Sequence, residues 1–251
     1  MLGLIENFFK NARIPPYFTP AQEGLSYEDV EIRSGERVLK GWLLGEGQEP
    51  LIMVHGWGAN REVFLPMMRL LAPHFLLLAF DVSNHGESSP YWPVSIRVFW
   101  EDIGAAVDFL GEEVWLVGHS MGAASSLIAA NTYEKVKGVV ALAPFASTEE
   151  ITERMMGVLP ASLRKKVLKK IEEEVGFSLK EFSPQNYICR RKIPHLIIHG
   201  KEDETVPVED SLRLREICPE AESFFPEGEG HKSVLVSEKV LRRVEEFLKK
   251  S

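Results

Sequence analysis

The chain has 251 residues, of which 45% are apolar and 26% are charged, and its formal net charge is −8. These proportions are typical of one globular domain with a sizeable core, so we expect a single domain over residues 1–251. The negative charge argues against nucleic acid as a partner, because phosphate binding requires clustered Lys and Arg.

The N-terminal 16 residues predict a short amphipathic helix. Glu6 and Asn7 interrupt their apolar run early, so this segment is neither a signal peptide nor a span, and no stable membrane insertion is expected. Two alternating segments, residues 27–33 and 37–44, predict a pair of strands around a tight turn. Alternation indicates that one face of this pair is exposed to solvent.

The later strands have a different pattern. Five continuous apolar runs predict strands buried on both faces, and they read PLIMVH, FLLLAFD, VWLVGHS, VKGVVALA and PHLIIHG. Amphipathic segments predict helices at residues 63–71, 96–110, 123–130, 212–217 and 233–250. This alternation predicts the α/β class, with a mostly parallel central sheet and helices on both of its faces.

One segment interrupts this alternation. Residues 145–191 occupy a place where one crossover helix would suffice, and Pro160 and Pro184 divide them. Insertions of this length between adjacent strands are usually functional. We interpret this segment as a small helical cap inserted before the next strand.

The cysteines indicate the redox state of the cellular compartment. The chain has 2 cysteines, Cys189 and Cys218, and no spacing pattern pairs them. We interpret them as two free thiols, which predicts a reducing compartment and a cytoplasmic location.

The stretch GHSMG places Ser120 between two glycines, directly after a predicted buried strand and before a predicted helix. A turn this sharp exposes the serine hydroxyl at the carboxyl end of the sheet, where ligands bind in such folds. Ser120 is therefore the candidate nucleophile, although a purely structural turn remains an alternative.

A serine nucleophile needs a general base and an acid that orients it. Among 7 histidines, only His231 follows late enough for the order serine, acid, histidine. Asp203, just past a buried strand, is our candidate acid, with its neighbours Glu202 and Glu204 as alternatives. The developing oxyanion needs donors, and we expect the backbone amides of Trp57 and Met121 to supply them.

The motifs HGWG, DVSNHGES, GHSMG, GKEDETVP and GEGHK occur in the order found in serine hydrolases of the α/β-hydrolase family, which the chain resembles from about residue 51 onward. The resemblance implies the α/β-hydrolase fold, Ser120 as nucleophile, Asp203 as acid, His231 as base, and an oxyanion hole at Trp57 and Met121. The sequence departs from the family pattern at Ser83, where relatives often carry arginine. Because Asp81, His85 and Gly86 remain, we expect a structural loop near the site that His85 stabilises, with substrate contact by His85 as the alternative.

The predicted activity is hydrolysis of a short- to medium-chain carboxylic ester through an acyl-enzyme on Ser120. Candidate substrate-binding residues are Trp57, Phe145, Met155, Met156 and Leu159, with Trp92 as a further possibility. We expect a small-molecule acyl ester as the partner and no metal or other cofactor, since no His, Asp or Glu cluster has metal-ligand spacing.

Three alternatives stay open. A peptidase or aminopeptidase of the same fold would need carboxylates for a substrate amine, and Glu149, Glu150 and Glu153 are candidates. A thioesterase would use the same catalytic residues. A catalytically silent binding protein would keep the fold without the reaction. The oligomeric state is not predicted.

Overall fold

The computed structural model describes residues 13–157 and 159–250. Its centre is an eight-stranded sheet in the order β1-β2-β4-β3-β5-β6-β7-β8. The strands are β1 (Tyr27–Ser34), β2 (Arg37–Leu44), β3 (Glu49–Val54), β4 (Phe75–Phe80), β5 (Val114–His119), β6 (Val136–Leu142), β7 (His195–Ile198) and β8 (Glu222–Phe224). β2 is antiparallel to both of its neighbours, whereas all pairings from β4 to β8 are parallel. The prediction of a mostly parallel sheet is confirmed.

Seven α-helices are found in the described residues: α1 (Leu65–Leu71), α2 (Ile96–Leu110), α3 (Met121–Ala130), α4 (Thr148–Met155), α5 (Ala161–Val175), α6 (Val208–Ile217) and α7 (Glu238–Lys250). Short 3-10 turns occur at Pro20–Glu23, Arg61–Phe64, Pro184–Asn186 and Ser233–Leu235. The helix predicted at residues 96–110 is confirmed at both ends. The helix predicted at residues 212–217 begins earlier, because Pro207 caps it and its first turn is polar.

The two faces of the sheet carry separate hydrophobic cores. Ile52 and Val54 of β3 pack into the core that includes residues of α2 and α3. Leu51 and Met53, which alternate with them, pack into the core that includes residues of α1 and α7. Each such side chain stabilises the fold by about 1.5–3 kcal/mol when fully buried. Burial on both faces explains why these strands read as continuous apolar runs.

The insertion between β6 and β7 is helical. It contains α4, α5 and the turn at Pro184–Asn186. Its helices have a small hydrophobic cluster of their own, formed by Met156, Val167, Leu168, Ile171 and Leu179. This cluster joins α5 to the chain on either side of it.

The prediction of two free thiols was wrong. Cys189 and Cys218 form a disulfide, and their Cα atoms are 5.5 Å apart, within the usual range for such bonds. Cys189 lies in a loop with a φ of 66°, and Cys218 caps the end of α6. Because the two are separated by 29 residues in the chain, only the fold brings them together. The cysteines therefore no longer support the prediction of a reducing compartment.

The predicted N-terminal helix falls largely on residues 1–12, which lie outside the described residues. Within the described ranges, no helix combines the length and apolar character needed to cross a bilayer.

Candidate active site

Ser120 occupies a sharp turn between β5, which ends at His119, and α3, which begins at Met121. Its backbone has a φ of 54° and a ψ of −118°, a conformation that non-glycine residues rarely adopt. Such strain costs roughly 1–3 kcal/mol and persists only where the surroundings enforce it. Here the Ser120 amide donates to the Leu142 carbonyl at the end of β6, 2.8 Å away. The serine is thereby held at the carboxyl edge of the sheet.

Two glycines allow the chain to close tightly around this turn. A Cβ on Gly122 would lie 2.1 Å from the Val54 carbonyl oxygen, so only glycine lets α3 approach the end of β3. A Cβ on Gly56 would lie 3.0 Å from the Cβ of Ser120. The loop after β3, which carries Trp57, therefore lies directly beside the serine.

His231 and Asp203 meet although 28 residues separate them. The Nδ1 atom of His231 donates to Oδ2 of Asp203 at 2.7 Å. The other carboxylate oxygen, Oδ1, accepts the amides of Thr205 and Val206, each at 2.8 Å. The Asp203 side chain is 0% exposed, whereas Glu202 and Glu204 on either side are exposed. Of the three predicted acids, only Asp203 reaches the histidine.

The charge on Asp203 is stabilised by its partners. Burial by itself raises the pKa of this carboxyl, but hydrogen bonds from His199, His231 and the Val206 amide outweigh it. The net effect holds the pKa of Asp203 well below its ordinary value. Asp203 is therefore ionised at neutral pH and able to stabilise a charged imidazole.

Two further histidines, to which the sequence analysis gave no role, contact this pair. His119 Nε2 lies 2.7 Å from the backbone carbonyl oxygen of His231, and the two rings are 4.8 Å apart. His199 Nε2 lies 3.1 Å from Oδ2 of Asp203. The contact of His119 with His231 could have been predicted, because His119 directly precedes Ser120 in the chain. No sequence pattern signalled the second.

The backbone amides of Trp57 and Met121 are the predicted oxyanion donors. In the part of the chain that the structure describes, neither donates a hydrogen bond to a protein acceptor. Met121 is the first residue of α3, where helix amides are unpaired and carry partial positive charge. Both residues line the same cavity as Ser120 and His231, so an anionic oxygen bound there would have unpaired donors nearby.

The cavity has a volume of about 320 Å³, near the lower end for ligand pockets, and its walls are mostly apolar. Its lining residues come from the loop after β3, the start of α2, the serine turn, the insertion and the two loops that carry Asp203 and His231. They are Trp57, Val94, Ser95, Ile96, Ser120, Met121, Phe145, Thr148, Ile151, Thr152, Met155, Ile171, Val175, Leu179, Thr205, Val206, His231 and Lys232.

The predicted pocket residues divide into two groups. Trp57, Phe145 and Met155 line the cavity. Met156 and Leu159 are not among its lining residues, and both pack in the hydrophobic cluster of the inserted helices. The predicted pocket role therefore has structural support for Trp57, Phe145 and Met155, and for Met156 and Leu159 it stays a prediction.

The other sequence candidates lie outside the lining. Trp92 is 44% exposed. His85 is buried, its Nδ1 contacts the Ser83 carbonyl at 3.0 Å, and its ring packs edge-on against Trp57. These contacts support the predicted loop-stabilising role of His85.

The described residues include one group with the spacing of metal ligands, formed by Cys189, Cys218 and Glu220. The two cysteine sulfurs of this group are joined in the disulfide, which leaves them no thiolate to offer a metal. The group also lies apart from the cavity lining. It gives no reason to place a metal beside Ser120.

Buried histidines around the site predict that acid destabilises the fold. Burial lowers the pKa of His55 and of His119 to about 4 and that of His85 to about 3. The unfolded chain takes up these protons near pH 6.5, so between the two values it binds more protons than the folded chain. We expect the free energy of unfolding to fall by about 1 kcal/mol per histidine from pH 7.5 to 5.5. Asp81 and Asp102 act in the opposite direction on the free energy of unfolding, since burial raises the pKa of both carboxyl groups.

Urea unfolding at several pH values checks this expectation. His85→Met should reduce this dependence by about 1 kcal/mol over the same pH range, because it removes one of the buried histidines whose pKa burial lowers. Val107→Ala, which truncates a buried side chain and removes no titratable group, should lower the stability equally at each pH. An unchanged pH dependence of stability in His85→Met would contradict the inference that buried histidines cause the destabilisation by acid.

Comparison with known proteins points to one family. A family model described as alpha/beta hydrolase fold matches residues 49–183. The pimeloyl-[acyl-carrier protein] methyl ester esterase of Serratia marcescens is 32% identical over 111 residues, 43% of this chain and 42% of that protein. The protein of the same name from Yersinia pseudotuberculosis serotype O:1b is 35% identical over 97 residues, 38% of this chain and 36% of that protein. The match thus spans about two fifths of these relatives' length.

Solved structures match over a larger part of the chain. The Pyrococcus furiosus esterase Pf2001 gives a TM-score of 0.75 at 25% identity, covering 96% of this chain and 99% of that one. Est1E from Butyrivibrio proteoclasticus, solved with ferulic acid bound, also gives 0.75, at 20% identity, covering 88% of this chain and 98% of that one. At 20% identity, the second likeness shows the shared fold alone.

Proposed function

The chain belongs to the α/β-hydrolase family, whose model covers more than half of its length, and on this premise we propose that it is a serine hydrolase that cleaves carboxylic esters. One observation carries the proposal. Ser120, on its strained turn, and His231, hydrogen-bonded to the buried Asp203, line the same apolar cavity. This arrangement fits a nucleophile, its base and the acid that orients the base.

Acylation is the first step of the proposed mechanism. The Nδ1 atom of His231 donates to Asp203, so Nε2 of the same ring is the nitrogen that takes the Ser120 proton. The serine oxygen then bonds to the ester carbonyl carbon, and the carbonyl electron pair moves to oxygen. The amides of Trp57 and Met121 are the donors for that oxyanion. As the bond to the alcohol oxygen breaks, Nε2 returns its proton to the leaving group.

Deacylation repeats these roles with water. His231 takes a proton from a water molecule as its oxygen bonds to the acyl carbon. Collapse of the second oxyanion breaks the bond to the Ser120 oxygen, which receives the proton from Nε2. Asp203 stays ionised throughout and stabilises the imidazolium in both steps.

The cavity supports a short- to medium-chain acyl group as the substrate. Its volume of about 320 Å³ is small, and its walls offer apolar side chains to an acyl chain. Ile151, Met155, Ile171 and Val175 contribute from the inserted helices. We therefore propose that residues 145–191 act as a cap that encloses the acyl chain, within a single domain.

The alternatives have less support. A peptidase needs a carboxylate near the substrate amine, and none of the described residues that line the cavity is Asp or Glu. Glu150 pairs with Arg154 and Arg213 instead. The curated relatives are named as methyl ester esterases, which supports an oxygen ester over a thioester.

A series of p-nitrophenyl esters tests the proposed substrate. We expect kcat/KM to peak at short to medium acyl chains and matched p-nitroanilides to react far more slowly. Val175→Phe should shift the peak to shorter chains, because Val175 lines the cavity. Lys166→Ala, exposed on the same helix, should leave the peak in place. A rate that rises up to the longest chains, or equal rates for esters and anilides, would overturn the proposed substrate class.

A further inference from the structure

His199, at the end of β7, is wholly buried and contacts the acid of the site. Its Nε2 lies 3.1 Å from Oδ2 of Asp203 and 2.9 Å from the Val206 carbonyl oxygen. Its Nδ1 lies 2.6 Å from the hydroxyl oxygen of Ser211 in α6. The side chains of His199 and Asp203 are both 0% exposed. A polar ring in such a place is stable only because each nitrogen has a partner.

These contacts fix the direction of the hydrogen bonds. Both partners of Nε2 are oxygens that only accept, so this nitrogen carries a proton. In the neutral ring Nδ1 then accepts the hydroxyl hydrogen of Ser211. His199 therefore always offers Asp203 a donor, whichever charge it carries.

The Asp203 carboxylate is thus saturated with donors. Oδ1 accepts two backbone amides, while Oδ2 is shared between His231 at 2.7 Å and His199 at 3.1 Å. A carboxylate with this number of donors is fixed in position and held in its charged form. The donor from His199 also withdraws part of the negative charge that His231 would otherwise receive.

We propose that His199 is a positioning residue that fixes Asp203 and sets the basicity of His231 through it. This inference rests on the proposed function, because it concerns the same acid and base. His199 touches neither the cavity nor the reacting atoms, since it is absent from the cavity lining. It acts through Asp203 alone.

Two other titratable groups among the described residues lie near His231, one from the end of β5 and one from the loop of His231 itself. His119 faces the ring from the end of β5, and burial lowers its pKa to about 4, so it is neutral over the working range. Lys232 follows His231 in the chain and lines the cavity. These two groups stay in place when His199 is changed, so a shift in the pH profile reports the His199–Asp203 contact.

The test compares His199→Phe with His199→Gln. We expect His199→Phe to lower kcat roughly tenfold, because Asp203 is then held less firmly. The acid limb of the kcat/KM profile should move about half a pH unit higher, because Oδ2 of Asp203 then accepts a hydrogen bond from His231 alone and makes His231 more basic. His199→Gln keeps an N–H donor and should bring the limb back towards the wild-type position. The matched control is His195→Phe, which removes another buried histidine of β7 that contacts Asn131 rather than the site.

A second measurement does not require turnover. The far-downfield proton resonance of the His231–Asp203 hydrogen bond should titrate at a higher pH in His199→Phe than in the wild type. An unchanged limb and an unchanged titration in folded His199→Phe would overturn the inference while leaving the esterase proposal intact. Absence of ester turnover in the wild type would overturn the esterase proposal, and the proton titration would still decide the role of His199.

Discussion

Ser120→Ala is expected to lower kcat/KM towards carboxylic esters by at least ~1,000-fold, because it removes the proposed nucleophile. Steady-state kinetics with p-nitrophenyl esters measures this loss. Urea unfolding should show the variant to be as stable as the wild type or more so, because alanine removes one half-buried polar group and leaves the turn between β5 and α3 in place. The residual rate reflects binding and the oxyanion donors.

Labelling with a fluorophosphonate separates this outcome from a general loss of structure. The wild type should gain the mass of one adduct, and Ser120→Ala should gain none. Ser125→Ala is the matched control, since Ser125 lies in α3, directly after the turn, but its hydroxyl donates to the Met121 carbonyl at 2.7 Å. No adduct on the folded wild type would favour the catalytically silent binding protein over the hydrolase.

Asp203→Asn is expected to lower kcat roughly 1,000- to 10,000-fold, as the loss of the orienting acid does in serine hydrolases. The local hydrogen bonds supply the reason. Oδ1 of Asp203 accepts two backbone amides, so the asparagine oxygen would take that position and its NH2 group would face His231. His231 could then keep the hydrogen bond only with Nδ1 deprotonated, which leaves a proton on Nε2 and no base for Ser120.

The pH profile and a neighbouring variant check this explanation. Activity in Asp203→Asn should recover partly at high pH, where hydroxide can replace the missing base. Glu202→Gln should keep wild-type kcat, because the Glu202 side chain is exposed and the carboxylate that contacts His231 is that of Asp203. A fall in Glu202→Gln comparable with that in Asp203→Asn would mean that the acid was misassigned.

The sequence predicted the features that depend on local pattern. Continuous apolar runs identified the strands that the structure buries on both faces, since burial on two faces leaves no place for polar residues. Ser120 was recognisable because a strand, a tight glycine turn and a helix follow one another within a few residues. Asp203 and His231 were identified as candidates from the order serine, acid, histidine along the chain, which is the order found in the family that the chain resembles.

The features that the sequence did not predict depend on packing between distant segments. The disulfide joins two segments 29 residues apart that carry no paired spacing. Val94 and Ile96 reach the cavity only because the start of α2 lies beside the serine turn. His199 and Asp203 are four residues apart, too far for contact in an extended strand, and they meet because the chain turns back directly after β7.

The cavity wall has a consequence for how this protein could change over evolutionary time. The proposed reacting groups lie at strand ends and in the loops that follow them, whereas Ile151, Met155, Ile171 and Val175 belong to the inserted helices. Substitutions in that insertion alter the shape offered to a substrate without touching the groups that perform the reaction. New substrate preferences can therefore arise through substitutions confined to the insertion. Directed evolution of substrate preference can begin with the same residues.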